Sequence, residues 1–218
     1  MSPDLLQLLM AGEYLCPVRY PDEFNALNNS ADQVENVNQW LTDIDMRLAR
    51  IGDDGAFFMA PAKYTDRITT RIKAELRDFR DVYGPAVRML DFIRQTKSEN
   101  ALCSPGERIQ LVELETLVNG STTLSAQLRA LLDVIHSGNP RVSDRENLQR
   151  LMEHLAKDVY VILVDKGSDT YQVTGKVEQL YAALSFLDDN KVIEERDVDD
   201  QLELSEDSAV GDAEGPAE

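Results

Sequence analysis

The side chains of this chain that could do chemistry are few. Two histidines, His136 and His154, and two cysteines, Cys16 and Cys103, are its whole stock of imidazole and thiol. Neither histidine stands at metal-ligand spacing from a cysteine or from the other. No Gly-x-Gly-x-x-Gly, P-loop, Gly-x-Ser-x-Gly or His-Glu-x-x-His motif occurs. Carboxylates are abundant, yet nothing in the sequence pairs two of them in an apolar pocket. The sequence therefore assigns no catalytic, cofactor-binding or metal residue, and no cofactor is expected. A histidine beside a helical stripe is ordinarily structural or solvated.

The residues that do carry a pattern are cationic. Lys63, Arg67 and Arg71 follow one another at i,i+4 and would form one row of like charge on a helix. The row would begin at the positive end of the helix dipole, which adds to its cost. Either acids such as Asp66 neutralise it in the fold, or it binds an anionic partner. A second set is Arg141, Arg145, Arg150 and Lys157. At about 100° per residue, Arg150 and Lys157 lie opposite an apolar stripe, with Arg145 on its flank. Glu146–Arg150 and Glu153–Lys157 are also i,i+4 pairs, which suit a solvated face equally well.

The elements that must position these residues follow from periodicity and punctuation. Asp4–Met10 is a short helix, with Leu5, Leu6, Leu8 and Leu9 apolar nearly all round. One core cannot obviously cover all four, so they are expected at a dimer interface. Pro21 opens a second helix to Leu27. Ser30-Ala-Asp-Gln33 is a capping-box pattern for a third, with the stripe Val34, Val37, Leu41, Ile44, Leu48. Asp54-Gly55 between apolar runs predicts a hairpin of Leu48–Ile51 and Ala56–Met59. Phe57 and Phe58 would point to opposite faces, one inward and one needing the long helix or a partner as cover.

Lys63–Tyr83 reads as a long helix carrying Ile68, Ile72, Leu76, Phe79 and Tyr83, broken or kinked at Gly84-Pro85 and continued over Val87–Ile93. Further helices carry Leu111, Leu114 and Val118, then Leu124, Leu128, Leu131 and Ile135. Ser143-Asp-Arg-Glu146 is a second capping box, before Leu148, Leu151, Met152 and Leu155. Val159–Val164 and Thr170–Thr174 then make a second hairpin. A last helix carries Val177, Leu180, Leu184 and Leu187.

Helices followed by a hairpin thus occur twice, which is the winged-helix plan. The expected fold is mainly α with small β-hairpins (α+β), as tandem winged-helix domains. Residues 1–62 form the first, 63–100 a shared linking helix, 101–190 the second with its final helix, and 191–218 an acidic tail. From Asp188 to Glu218 there are 13 acids and 2 bases, within a formal net charge of -18 for 218 residues. That segment has too little apolar surface to offset its ordering entropy and is expected to be disordered. No apolar run approaches the roughly 20 residues needed to span a bilayer, and no signal peptide is read at the start. A cytoplasmic protein with reduced thiols is expected.

Winged helices often bind DNA through the third helix. In the first domain that helix is read to carry Asp32, Glu35, Asp43 and Asp45, with Arg47 and Arg50 only at its end, and phosphate would repel it. Several stretches resemble the MksE family, the small kite subunits of MukBEF-like bacterial condensins. They are Gly12-Glu-Tyr-Leu-Cys-Pro-Val-Arg-Tyr-Pro-Asp-Glu-Phe24, Gly52-Asp-Asp-Gly-Ala-Phe-Phe-Met-Ala-Pro61 and Asp78-Phe-Arg-Asp-Val-Tyr-Gly-Pro85. Ser104-Pro-Gly-Glu-Arg-Ile-Gln-Leu-Val-Glu-Leu-Glu115 and Thr174-Gly-Lys-Val-Glu-Gln-Leu180 extend the likeness, which covers roughly residues 1–193.

The resemblance implies tandem winged-helix domains and a homodimer. It implies binding to a kleisin (MksF-like) and, through it, to an SMC ATPase (MksB-like) that supplies the missing P-loop. It implies work in chromosome organisation and segregation, or in plasmid defence, at the nucleoid and away from membranes. It also places DNA contact on the third helix of the second domain, here Arg141, Arg145, Arg150 and Lys157, within the assembled complex only. Lys63, Arg67 and Arg71 remain the expected partner-binding set. The alternative is a winged-helix transcriptional regulator that binds DNA by itself.

Overall fold

The computed structural model describes residues 3–77, 79–97, 103–134 and 142–189. The acidic segment 190–218 lies outside them, as do His136 and Arg141.

The chain begins with α1 (Pro3–Met10). Gly12 closes it in the left-handed region, at φ 79°, with its N–H on the Leu9 carbonyl and that of Glu13 on Leu8. Helix α2 (Pro21–Asn28) has Pro21 in its first turn, as its fixed φ favours. Ser30 caps α3 (Ala31–Thr42) by accepting from the Gln33 N–H at 3.3 Å.

The α3 stripe runs on past the helix. Val37 and Leu41 are buried in it, but Asp45 turns the chain at φ 56°, Ile44 is exposed, and Leu48 belongs to β1 (Met46–Arg50). A buried strand residue continued the three-and-four count by coincidence of spacing.

Strand β1 pairs antiparallel with β2 (Phe57–Pro61), with Leu48 opposite Met59. The hairpin was legible, but its turn works differently from the expected tight Asp-Gly. The loop spans 51–56, and Gly52 is the residue with positive φ, 57°. Gly55 is needed for space: a Cβ there would sit 2.2 Å from the Ile51 carbonyl oxygen. Phe57 enters a core with Leu5, Leu9, Leu15, Phe24, Leu27, Val37 and Leu41. Phe58 stacks on Tyr14 with centroids 5.5 Å apart. Its cover is therefore Tyr14, a residue of the segment between α1 and α2.

Next come α4 (Asp66–Arg77) and α5 (Phe79–Lys97). Gly84-Pro85 lies inside α5, where the sequence predicts a break or a kink. Proline removes one intrahelical hydrogen bond. The buried face of Ala86, Met89, Leu90 and Ile93, which directly follows, holds the helix through that loss.

A short strand, β3 (Arg108–Gln110), leads into α6 (Leu111–Asn119), α7 (Thr122–Val134) and α8 (Asp144–Lys157). Helix α5 packs on all three, so its apolar face belongs to the second half of the chain. Helix α8 opens with the complete reciprocal capping box of Ser143 and Glu146. It ends with Val159 at φ 62°, where Val159 N–H bonds Ala156 and Tyr160 N–H bonds Leu155. This is the helix-ending geometry that glycine usually supplies, held here by a β-branched residue.

Strands β4 (Val161–Asp165) and β5 (Thr170–Val173) form the second hairpin, in the order β3-β5-β4. Helix α9 (Lys176–Asp189) is the last described element. The described architecture is thus mainly helical with two small antiparallel sheets.

The described residues up to 182 form one compact unit. Within it the N-terminal and C-terminal elements meet directly. A Cβ on Gly175 would lie 2.6 Å from the Cys16 Cβ and 3.1 Å from the Ala56 Cβ. Beside it, the Ala56 N–H donates to Glu178 Oε2 at 3.4 Å. No described helix is long and apolar enough to cross a membrane.

Candidate functional site

The four leucines of α1 divide by exposure. Leu5 is 2% and Leu9 0% exposed, and both sit in the chain's own core. Side chains with no accessible surface offer nothing to a second copy, so these two do not form the expected dimer interface. Leu6 and Leu8 are half-buried against the same core. The chain's own core thus takes up two of the four leucines. The helix lies against β2 on one side, with the α2–α3 core beneath.

The first cationic set is split by a helix boundary. Lys63 precedes α4, so only Arg67 and Arg71 are i,i+4 neighbours on it. All three are exposed. The expected three-residue row beginning at a helix dipole is not formed.

In the second set, Arg141 lies outside the described residues. Arg145 sits on α8 and is held by two carboxylates, Glu115 on α6 at 2.8 Å and Asp169 in the β4–β5 turn at 2.7 Å. The hydrogen bond and charge of Glu115, joined by Asp169, hold the guanidinium pKa above its ordinary value. Arg145 thus ties two helices to the hairpin. Glu146 takes part in the capping box, accepting from the Ser143 N–H at 3.1 Å. Arg150 is half-buried and Lys157 exposed. So the structure keeps Arg145, Arg150 and Lys157 on one helix but gives Arg145 internal work.

Two further features were not visible in the sequence. The first is an open groove of about 640 Å³ between α2, α3 and the hairpin. Its apolar part is Leu27, Ala31, Val34 and Phe57, and its polar part is Asn28, Glu35, Asn38 and Arg50. Arg50 is committed within the fold. Its Nε donates to the Gly55 carbonyl at 3.0 Å, its Nη2 to Asn28 Oδ1 at 2.8 Å, and its guanidinium lies 4.6 Å from the Phe57 centroid. Glu35 is exposed.

The second feature is a small cavity of about 60 Å³ where the N-terminal and C-terminal elements meet, lined by Glu13, Tyr14, Arg19, Val159, Thr174 and Lys176, with Gly12. Arg19 pairs with Glu13, and Lys176 Nζ donates to the Asp158 carbonyl at 2.7 Å beside the Tyr160 ring. Burial lowers the Lys176 pKa. Burial, with Tyr83 adding, pushes Tyr14 up to about 12. At that size the cavity holds water rather than a substrate.

His154 Nε2 stands 3.9 Å from Asp158 Oδ2, and Cys16 and Cys103 are buried thiols. Among the described residues no three metal-ligating side chains converge. No protein-family model and no curated protein matches the chain. What the described surface offers is an open groove carrying one carboxylate and one guanidinium, and a helix, α8, with Arg150 in its middle and Lys157 at its end.

Proposed function

We propose that this chain is a non-catalytic kite subunit, MksE-like, of a bacterial SMC–kleisin condensin, with tandem winged-helix domains. It binds the kleisin, and through it an SMC ATPase, as a homodimer, in chromosome organisation and segregation or plasmid defence. The observation that carries this reading is the repeated unit of helices closed by a hairpin, α1–β2 and α6–β5, in a chain whose motifs resemble that family over the same span.

DNA contact in this reading comes from α8 and only in the assembled complex, in the cytoplasm at the nucleoid. Arg150 and Lys157 are assigned to it from their places on that helix, as the resemblance implies. A net charge of -18 opposes encounter of the free subunit with phosphate. Isolated protein should accordingly bind DNA weakly and without sequence preference. In a rebuilt complex, Arg150→Glu with Lys157→Glu should leave kleisin binding intact, lower DNA retention and make its salt dependence shallower. Tight sequence-specific binding by the isolated chain would favour the transcriptional-regulator alternative.

A further inference from the structure

Helix α8 is seated with an unpartnered amide near one end and a strained closing residue at the other. We propose that α8 has two seats: it turns about its own axis, carrying Asn147 outward, when phosphate reaches it in the assembled complex, and the Arg145 ion pairs hold it inward until then.

Asn147 is 1% exposed, at the edge of the apolar stripe of Leu148, Leu151, Met152 and Leu155. Both polar atoms of its amide, Nδ2 and Oδ1, are buried with no hydrogen-bond partner among the described residues. An amide taken out of water without a partner destabilises the position it occupies, and an apolar group of similar shape would not. At the other end, Val159 closes the helix at φ 62°. A β-branched side chain disfavours that region, so the surroundings must hold the joint between α8 and β4. Thr174 Oγ1 donates to the Val159 carbonyl at 2.6 Å, and Lys176 Nζ to that of Asp158 at 2.7 Å.

The clamp lies on the opposite flank. At about 100° per residue, Arg145 stands about 160° around the helix from Asn147. Its guanidinium bonds Glu115 at 2.8 Å and Asp169 at 2.7 Å. A turn that brings Asn147 to solvent draws Arg145 off both carboxylates, so the two flanks oppose each other. Phosphate competes with those carboxylates for the guanidinium and thereby releases the clamp. Arg150, about 60° from Asn147 on the side away from the stripe, is re-aimed by the same turn. The inference rests on the proposed function in one respect, that α8 meets DNA.

The test is hydrogen exchange of the isolated full chain, read on α8 against α6 and α7. Asn147→Leu should slow exchange in α8 at least tenfold more than in the other two, and raise the thermal midpoint by about 2–6 °C. Asn147→Met, whose flexible chain fills irregular space, should act in the same direction. Arg145→Ala should speed exchange in α8. In the rebuilt complex, Asn147→Leu should lower DNA retention at least tenfold with kleisin binding unchanged. Faster or unchanged α8 exchange in both Asn147 variants overturns the proposal, because the amide then has a partner, an ordered water included. So does full DNA retention by Asn147→Leu. The expected exchange pattern in a chain that assembles with no kleisin or SMC ATPase supports the two seats and overturns the functional reading. Uniform exchange changes in a chain that does assemble overturn the two seats alone.

Discussion

At Gly175 the N-terminal and C-terminal elements are in close contact. An added methyl would meet the Cys16 Cβ at 2.6 Å, and that atom cannot rotate away. Gly175→Ala should therefore destabilise the protein by about 1–3 kcal/mol, the usual cost of overpacking. Urea unfolding measures it, and an unchanged midpoint would show that the segment around Cys16 shifts freely. Tyr14 supplies a second residue-scale test. Its pKa is raised to about 12 by burial and by Tyr83. A raised acid contributes stability that is complete below its unfolded pKa near 10 and is lost as pH rises through the folded value. The stability lost between pH 10 and 12 should thus be smaller in Tyr14→Phe, as read by unfolding midpoints at each pH. An equal loss in both proteins would remove Tyr14 as a source of the alkaline transition.

Among the elements, α8 divides between structure and surface. Arg145 links it to α6 and to the β4–β5 turn through two short ion pairs, but its side chain is 42% exposed. Solvent screening keeps such a network modest. Arg145→Ala should lower the unfolding midpoint slightly, and the loss should shrink in high salt. Lys157→Ala should leave the midpoint in place. Equal effects from the two variants would contradict the division.

The same elements show what the sequence could reveal. Both hairpins, the caps at Ser30 and Ser143 and the stripe of α8 were legible, because local turn and capping chemistry decides them. The end of α3 was not, since Leu48 kept the helical count while sitting in a strand. Val159 closing α8 depends on tertiary packing that no local signal carries. Of the candidate surfaces, the cations of α8 were visible as a set. The commitment of Arg145 was not, because Glu115 and Asp169 are remote in sequence. The groove was hidden for the same reason: it forms only when Leu27, Val34 and Phe57 meet.

For the whole molecule, charge is the dominant fact. Residues 188–218 hold 13 of the 40 acids and only 2 of the 22 bases, with few core-forming side chains. Truncation after Arg196 should leave thermal unfolding nearly unchanged, while DNA affinity at low salt rises as repulsion falls. A large fall in the melting temperature would show that the segment docks on the fold. The central claim concerns what this acidic, helix-and-hairpin chain assembles with. Affinity purification of the tagged full chain from its native cells, followed by mass spectrometry, tests it most directly. The account predicts a co-purifying kleisin and SMC ATPase in defined proportion to this chain. Recovery of the chain without either protein, under conditions that preserve complexes, would contradict it.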